Sequence, residues 1–419
     1  MRPPSVWYSL LCACQAVCAE EQTRLGKGQL QQHGPSDSSS SSPPSFRSEL
    51  LDLHRSLVEI ESISGREYDV GSWLSEYLSS KGWTSTVQFV PPREGTPPGA
   101  QRMNVMAWPD DNDGTPDPKV LLTSHIDTVP PFIAYSIDEG EVTRDTRIYG
   151  RGSVDAKASV AAMIVAVDEL LEKDEINPQD VMVLFVVGEE VSGDGMRWFN
   201  DSLDSFDRRP EFDAVIFGEP TESKLACGHK GGLVCHIEAR GTAGHSGYPW
   251  LAKSANELIM RALVKVLDTD LGSSEQFGNT TINIGRLDGG VANNVIPARA
   301  TAGIMGRVAL GPQATGGEVV RKRLQAVLDE VDDEAFTLDC PQGYGLVETN
   351  CDVDGFDSIV VNYGTDIPHL EGEHTRYLYG PGTILVAHAA NENITVGDLE
   401  TAVVDYQKLV LNALGNYTA

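Results

Sequence analysis

Short apolar runs that stop abruptly at polar groups set the limits on how this chain can fold. "KVLLTSHID", "VMVLFVVGEE", "AVIFGEP" and, far downstream, "TILVAH" each have the length of a buried strand and end in residues that do not belong in a core. Helical patterns lie between them, most clearly Ser159 to Lys173, whose apolar positions recur at helical spacing. Two more amphipathic helices are expected earlier, over Ser48 to Ser62 and from Tyr68 to a break at Gly82. Alternating strands and helices predict an α/β fold with a mainly parallel central sheet flanked by helices. In such sheets the ligand site lies beyond the carboxyl ends of the strands.

A chain of 419 residues exceeds what one core usually supports, so a second domain or a large insertion is expected. Between Gly232 and about Gln342 the pattern changes to alternating strands, "LVCHIEARG" and "TINIGRLDGG", around a helix, "SANELIMRALVKVL". This α+β segment (232–342) separates two parts of the first domain, 47–231 and 343–419. Residues 1–19 combine an early Arg2, an apolar run from Val6 to Cys18 and small terminal residues, the pattern of a cleaved signal peptide. The Ser/Pro/Gln-rich residues 20–46 read as a flexible tether or pro-region.

A secreted, extracellular protein is therefore expected. Cleavage leaves Cys227, Cys235, Cys340 and Cys351, whose local pairs Cys227–Cys235 and Cys340–Cys351 are plausible disulfides, although three connectivities are open. Buried free thiols are the other reading. Sequons at Asn200, Asn279, Asn393 and Asn416 fit the same route. The formal net charge of −29, with no cluster of Lys and Arg, argues against nucleic acid or an anionic membrane as partner.

The ends of the apolar runs carry the chemistry. They present His125 and Asp127, then Glu189 and Glu190, then Glu219, then His388. Asp155 joins them from "GRGSVDAKAS", a glycine-flanked loop leading into the Ser159 helix. Imidazole and carboxylate groups suit zinc or a similar divalent ion. One catalytic zinc takes about three protein ligands, so a larger set fits two ions ~3.5–4 Å apart, bridged by one carboxylate. Asp155 is the candidate bridge.

"SHIDTVP", "GRGSVDAK", "GEE", "GEPT", "GHSGYP", "NNVIP" and "GPGTILVAHAANE" occur in this order. Over roughly residues 50–415 the chain resembles the co-catalytic zinc peptidase family of glutamate carboxypeptidase, aminoacylase, acetylornithine deacetylase and succinyl-diaminopimelate desuccinylase. The resemblance implies two zinc ions per subunit: His125 and Glu219 on one, Glu190 and His388 on the other, Asp155 bridging. It makes Glu189 the general base and has Asp127 orient the His125 imidazole. The Asp155–Ala156 bond is often cis in such relatives. Where relatives often have Met and then Lys-Gly after the bridge, this chain has Ala156 and Ala158, a departure that removes no ligand.

The resemblance also makes the inserted segment a lid or dimerisation domain, a four-stranded antiparallel sheet with two helices on one face. In relatives the His of "GHS", here His245, stabilises the oxyanion, often across a dimer interface. Asn294 and Arg307 would grip a free substrate carboxylate, though Arg307 also reads as a surface cation at a strand end. Gly380 and Gly382 form a turn at the substrate site or merely a loop. The implied reaction is hydrolysis of a C-terminal peptide bond by metal-activated water. Aminoacylase-like cleavage of N-acyl amino acids, and a non-catalytic metal-binding homologue, are the alternatives.

Overall fold

The computed structural model describes residues 42–93, 96–109, 118–206 and 208–416. The signal peptide assigned to 1–19 and most of the 20–46 tether lie outside the described residues. Ser45–Ala419 form a compact unit. Among the principal elements the chain lays down helices α1 (Arg47–Glu59) and α2 (Tyr68–Ser80), then strands β1 (Trp83–Val90), β2 (Arg102–Pro109) and β3 (Val120–His125). Helix α3 (Lys157–Glu172), β4 (Val181–Val186), helix α4 (Asp194–Ser202) and β5 (Ala214–Gly218) follow. Strand β6 (Leu225–His229) leads into β7 (Gly231–Arg240), helix α5 (Ala255–Asp268), β8 (Thr281–Gly289), β9 (Arg299–Val308), helix α6 (Gly316–Val331) and β10 (Phe336–Gly343). Strand β11 (Thr375–Tyr379) and helix α7 (Val396–Ala413) close the chain.

The central sheet runs β1-β2-β4-β3-β5-β11. Its β4, β3, β5 and β11 are parallel, and β2 and β1 extend it in antiparallel pairings. Period-two alternation divides its side chains. Val183, Phe185, Leu122 and Ile216 pack beneath α1, α2, α3 and α7, whereas Leu184, Leu121, Phe217 and Leu378 face Met196 and Phe199 of α4. Both faces are covered, which is why these strands read as continuous apolar runs. Helix α3 is buried almost throughout, which explains its apolar surface on all sides.

The expectation for "TILVAH" is corrected. Ile384–Val386 form a single 3₁₀ turn, with the Thr383 hydroxyl accepting from the Leu385 amide at 3.3 Å and Leu385 exposed to solvent. The edge strand is instead "TRYLY", β11, paired in parallel with β5. Local hydrophobicity marked the wrong segment because Tyr and Arg dilute the true strand.

The inserted segment forms an antiparallel sheet in the order β8-β9-β7-β10, with α5 and α6 on one face. Leu233, Cys235, Ile237, Ala302, Ile304 and Val308 point toward those helices. Their neighbours Val234, Met305 and Arg307 therefore point to the other face.

The expected disulfides are also corrected: the structure pairs Cys227 with Cys351 and Cys235 with Cys340. Cys227 and Cys235 flank Gly231, where the chain passes from β6 into the inserted sheet, and Cys340 and Cys351 flank the return past Gly343. A local bridge would join strands of different sheets. The observed bridges each join strands that already adjoin: β7 with β10, and β6 with the chain just beyond Val347–Glu348. Among the sequons, Asn279 and Asn416 are exposed, and Asn200 and Asn393 are half-buried; the Asn200 side-chain oxygen accepts from the Glu371 amide.

Candidate functional site

The parallel strands deliver their terminal groups to one sheet edge. His125 ends β3, Glu189 and Glu190 follow β4, and Glu219 follows β5. Asp155 comes from the loop before α3, across a cis peptide to Ala156. His388 comes from the turn after the 3₁₀ segment, with φ of 63°.

Two donor groups result, His125/Asp155/Glu219 and Asp155/Glu190/His388, each with its ligand atoms within 4.8 Å of one another. Asp155 belongs to both. Its Oδ1 lies 3.1 Å from His125 Nε2 and its Oδ2 lies 3.3 Å from His388 Nε2. Glu219 Oε1 is 3.8 Å from His125 Nε2, and Glu190 Oε2 is 3.0 Å from His388 Nε2.

The imidazole nitrogens and carboxylate oxygens of these groups suit divalent-cation binding. His125 Nδ1 donates to the Asp127 backbone carbonyl at 2.9 Å, which leaves Nε2 as the nitrogen facing the carboxylates. The electrostatics agree. Burial and the nearby Glu219 push the Glu189 carboxyl well above its ordinary range, and burial with repulsion from Asp155 pushes Glu190 up to about 7. Burial likewise raises Glu219. Hydrogen bonds to Asp155 and Glu190 raise His388 to about 10. Burial opposes ionisation of Asp155, but its bonds to both imidazoles hold it below the usual carboxylate range. Carboxylates crowded in low dielectric without enough positive charge are the signature of a cation site.

One expected contact differs. The Asp127 carboxylate stands 3.6 Å from His125 Nδ1, and the backbone carbonyl makes the bond instead. The carboxylate accepts from the Glu189 amide at 3.1 Å and from the Ser64 hydroxyl at 2.7 Å. It thus positions the loop of the two glutamates. Arg102 and Asn104, two residues apart on β2, hold that loop from below. Arg102 is buried between Glu67 and Asp194, while Asn104 bonds Val187 N and Gly195 O. Gly188, at φ +75°, leaves no room for a side chain: a Cβ would stand 1.9 Å from Asp194 Oδ1.

The site opens into a cavity of about 560 Å³ lined by Asp155, Glu189, Glu190, Glu219, His388 and, from the inserted sheet, Arg307. The Arg307 guanidinium has no hydrogen-bond or ion-pair partner among the described residues. His245 and Asn294 do not line this cavity. They lie beside each other on the inserted segment, where His245 pairs with Val295, and both are exposed. Gly380 and Gly382 do not line it either; a Cβ on Gly380 would meet the Glu219 carbonyl at 2.3 Å, so that turn packs against the Glu219 backbone.

Sequence reasoning missed Tyr344, Tyr363 and Asp366, which line the cavity, and Glu392, which is buried against the Asp155 loop. For Glu392 a signal existed in the final Glu of "AANE". The two tyrosines and Asp366 carry none, because they lie in irregular segments.

The model of "Peptidase family M20/M25/M40" matches residues 121–412. A Peptidase M20 domain-containing protein of Sordaria macrospora is 54% identical over 89% of this chain and 86% of its own length. A protein of Aspergillus oryzae named "probable carboxypeptidase" is 46% identical over 88% of each chain. Among solved structures, a Staphylococcus aureus tripeptidase superposes with a TM-score of 0.67 at 22% identity, covering 87% of this chain and 99% of that one.

Proposed function

The chain belongs to peptidase family M20/M25/M40, and on that premise we propose that it is a secreted metallo-carboxypeptidase whose two zinc sites share Asp155. The observation that carries this reading is the meeting, in one cavity, of the Asp155-centred donor cluster with an unpaired Arg307. A guanidinium free of protein carboxylates is the group best suited to grip the terminal carboxylate of a peptide. Names borne by the relatives agree with that specificity. Two disulfides and two exposed sequons fit an oxidising, extracellular setting. We read 47–231 with 343–419 as the catalytic domain and 232–342 as its inserted lid.

His125 and Glu219 would hold one ion, Glu190 and His388 the other, with Asp155 between them. Bound divalent ions supply Lewis acidity, which polarises a carbonyl and makes water a stronger acid. Glu189 takes the proton from the attacking water and passes it to the leaving amine, a role suited to a carboxyl whose pKa burial has raised. Asp127 keeps Glu189 in place through its amide. Replacing Glu189 with Gln should leave the metal content intact and lower kcat by ~10²–10⁴-fold. Retained hydrolysis of a dipeptide panel would refute the assignment of the base, and a panel inert with the wild-type, metal-loaded protein would favour the non-catalytic reading. N-acetyl amino acids in the same panel separate peptidase from deacylase.

His245 supports a second element of the proposal, a homodimer. Its Nδ1 accepts from the Gly247 amide at 3.0 Å, so Nε2 carries the proton, as an oxyanion donor requires. It lies outside its own chain's cavity, and the same inserted segment exposes apolar side chains at Met260, Val264 and Leu267 of α5 and at Leu287 of the edge strand β8. A second copy covering those side chains would bring His245 and Asn294 to the partner's site. Mixing inactive Glu189→Gln and His245→Ala proteins should restore activity if His245 acts in trans; no recovery in verified mixed dimers refutes it.

A further inference from the structure

Building on the reading of Arg307 as the carboxylate-binding group, we propose that Tyr344 completes that site: its phenol gives the substrate's terminal carboxylate a second hydrogen bond, in a seat kept open by Gly364. Arg307 reaches the cavity because alternation along β9 turns it away from α5 and α6, and the register sets it opposite Gly232 of β7. Tyr344 follows β10 and reaches the same place by another route. Its amide donates to the Gly232 carbonyl at 2.9 Å, and its ring lies over that glycine, where a Cβ would stand 3.1 Å from Cε1. The His229 ring meets it edge-on at 6.4 Å, and His229 is itself held by the Lys230 carbonyl and the Thr365 hydroxyl. The phenol is therefore fixed in direction.

Gly364 is where the two donors converge. A Cβ there would stand 2.5 Å from the Tyr344 hydroxyl oxygen and 3.3 Å from Arg307 Nη1. Any larger residue would fill the space between them. Neither the phenol nor the guanidinium has a hydrogen-bond or ion-pair partner among the described residues, and both line the cavity of the Asp155-centred donor groups. Burial pushes the phenol up to about 12, so it stays a donor at neutral pH and presents no anion to the ligand. A carboxylate has two oxygens and fits one on the guanidinium and one on the phenol. A carboxamide would turn an N–H toward one of these donors, so the pair discriminates against it.

Tyr344→Phe should raise KM for dipeptides with a free carboxylate by ~10-fold with little change in kcat, and leave hydrolysis of their C-terminal amides unaffected. Gly364→Ala should act in the same direction, since its methyl group would enter the space between the two donors. A direct readout is calorimetric binding of leucine, with leucinamide as control, to the metal-loaded enzyme. If Arg307→Ala abolishes leucine binding and Tyr344→Phe weakens it, the proposal stands. If Arg307→Ala abolishes binding and Tyr344→Phe leaves it unchanged, the role of Tyr344 is refuted while the carboxylate reading survives. Undiminished leucine binding in Arg307→Ala overturns both.

Discussion

Replacing Glu392 with Ala should strike the stability of the fold and the geometry of the site together. Glu392 and Arg151 form an ion pair whose side chains are 1% and 2% exposed. One carboxylate oxygen accepts the amides of Gly152, Val154 and Asp155 at 2.9, 3.3 and 3.3 Å. The guanidinium, bound to the other oxygen, donates to the carbonyls of His388 and Ala389 at 3.2 and 3.3 Å. One pair thus joins the backbone of Asp155 to that of His388, two members of one candidate donor group. Removing one partner of a buried ion pair costs about 3–5 kcal/mol, because the other charge is left without compensation. The three amides lose the same acceptor, so their contributions overlap with that figure rather than adding to it. Against a total stability of ~5–15 kcal/mol the loss is large. Urea unfolding of the metal-free protein, disulfides intact, measures it, and zinc titration calorimetry should then show weakened binding. Glu392→Gln keeps an acceptor for the amides and should lose less. A loss below about 1 kcal/mol in the Ala variant, with unchanged zinc binding, would refute this account of the pair.

Further outcomes follow from other parts of the molecule. His54 and His229 are buried, and burial pushes each down to about 4 from 6.5. The unfolded chain takes up these protons near pH 6.5 and the folded chain does not, so their contribution is intact above about pH 6.5 and lost as pH falls toward 4. The gap amounts to up to ~3 kcal/mol for each, and melts across that range should show it, with a shallower slope in His229→Asn. Reduction should lower the melting temperature strongly, since the bridges span sequence separations of 124 and 105 residues; the chain-entropy estimate is about 4–5 kcal/mol for the first closed and about 3 kcal/mol for the second, which is nested with it. Glu190→Gln should lose the ion shared with His388 and keep the one at His125 and Glu219; elemental analysis reading two ions per chain would count against the division of ligands.

The candidate donor groups were legible because parallel strands buried on both faces must be apolar until they end, and their ends share one edge. That logic located His125, Glu189, Glu190 and Glu219 from short runs alone. It located His388 by the wrong route, since that residue follows a 3₁₀ turn and the neighbouring strand is β11. Arg102 and Asn104 were readable in principle as polar residues within the apolar strand "RMNVMAWP", where burial demands partners.

The sequence by itself determined the alternation of strands and helices, the sheet edge at which the metal-type side chains gather, and the change to a separate antiparallel sheet within the inserted segment. These follow from periodicity and from what a strand's end can carry. Only the tertiary structure decided which strands adjoin, and hence that Cys235 meets Cys340, that Glu392 holds the Asp155 loop, and that Tyr344 and Arg307 converge over Gly364. The physical reason is range: local pattern fixes which way a side chain points from its own element, whereas contacts between distant elements depend on strand order and docking.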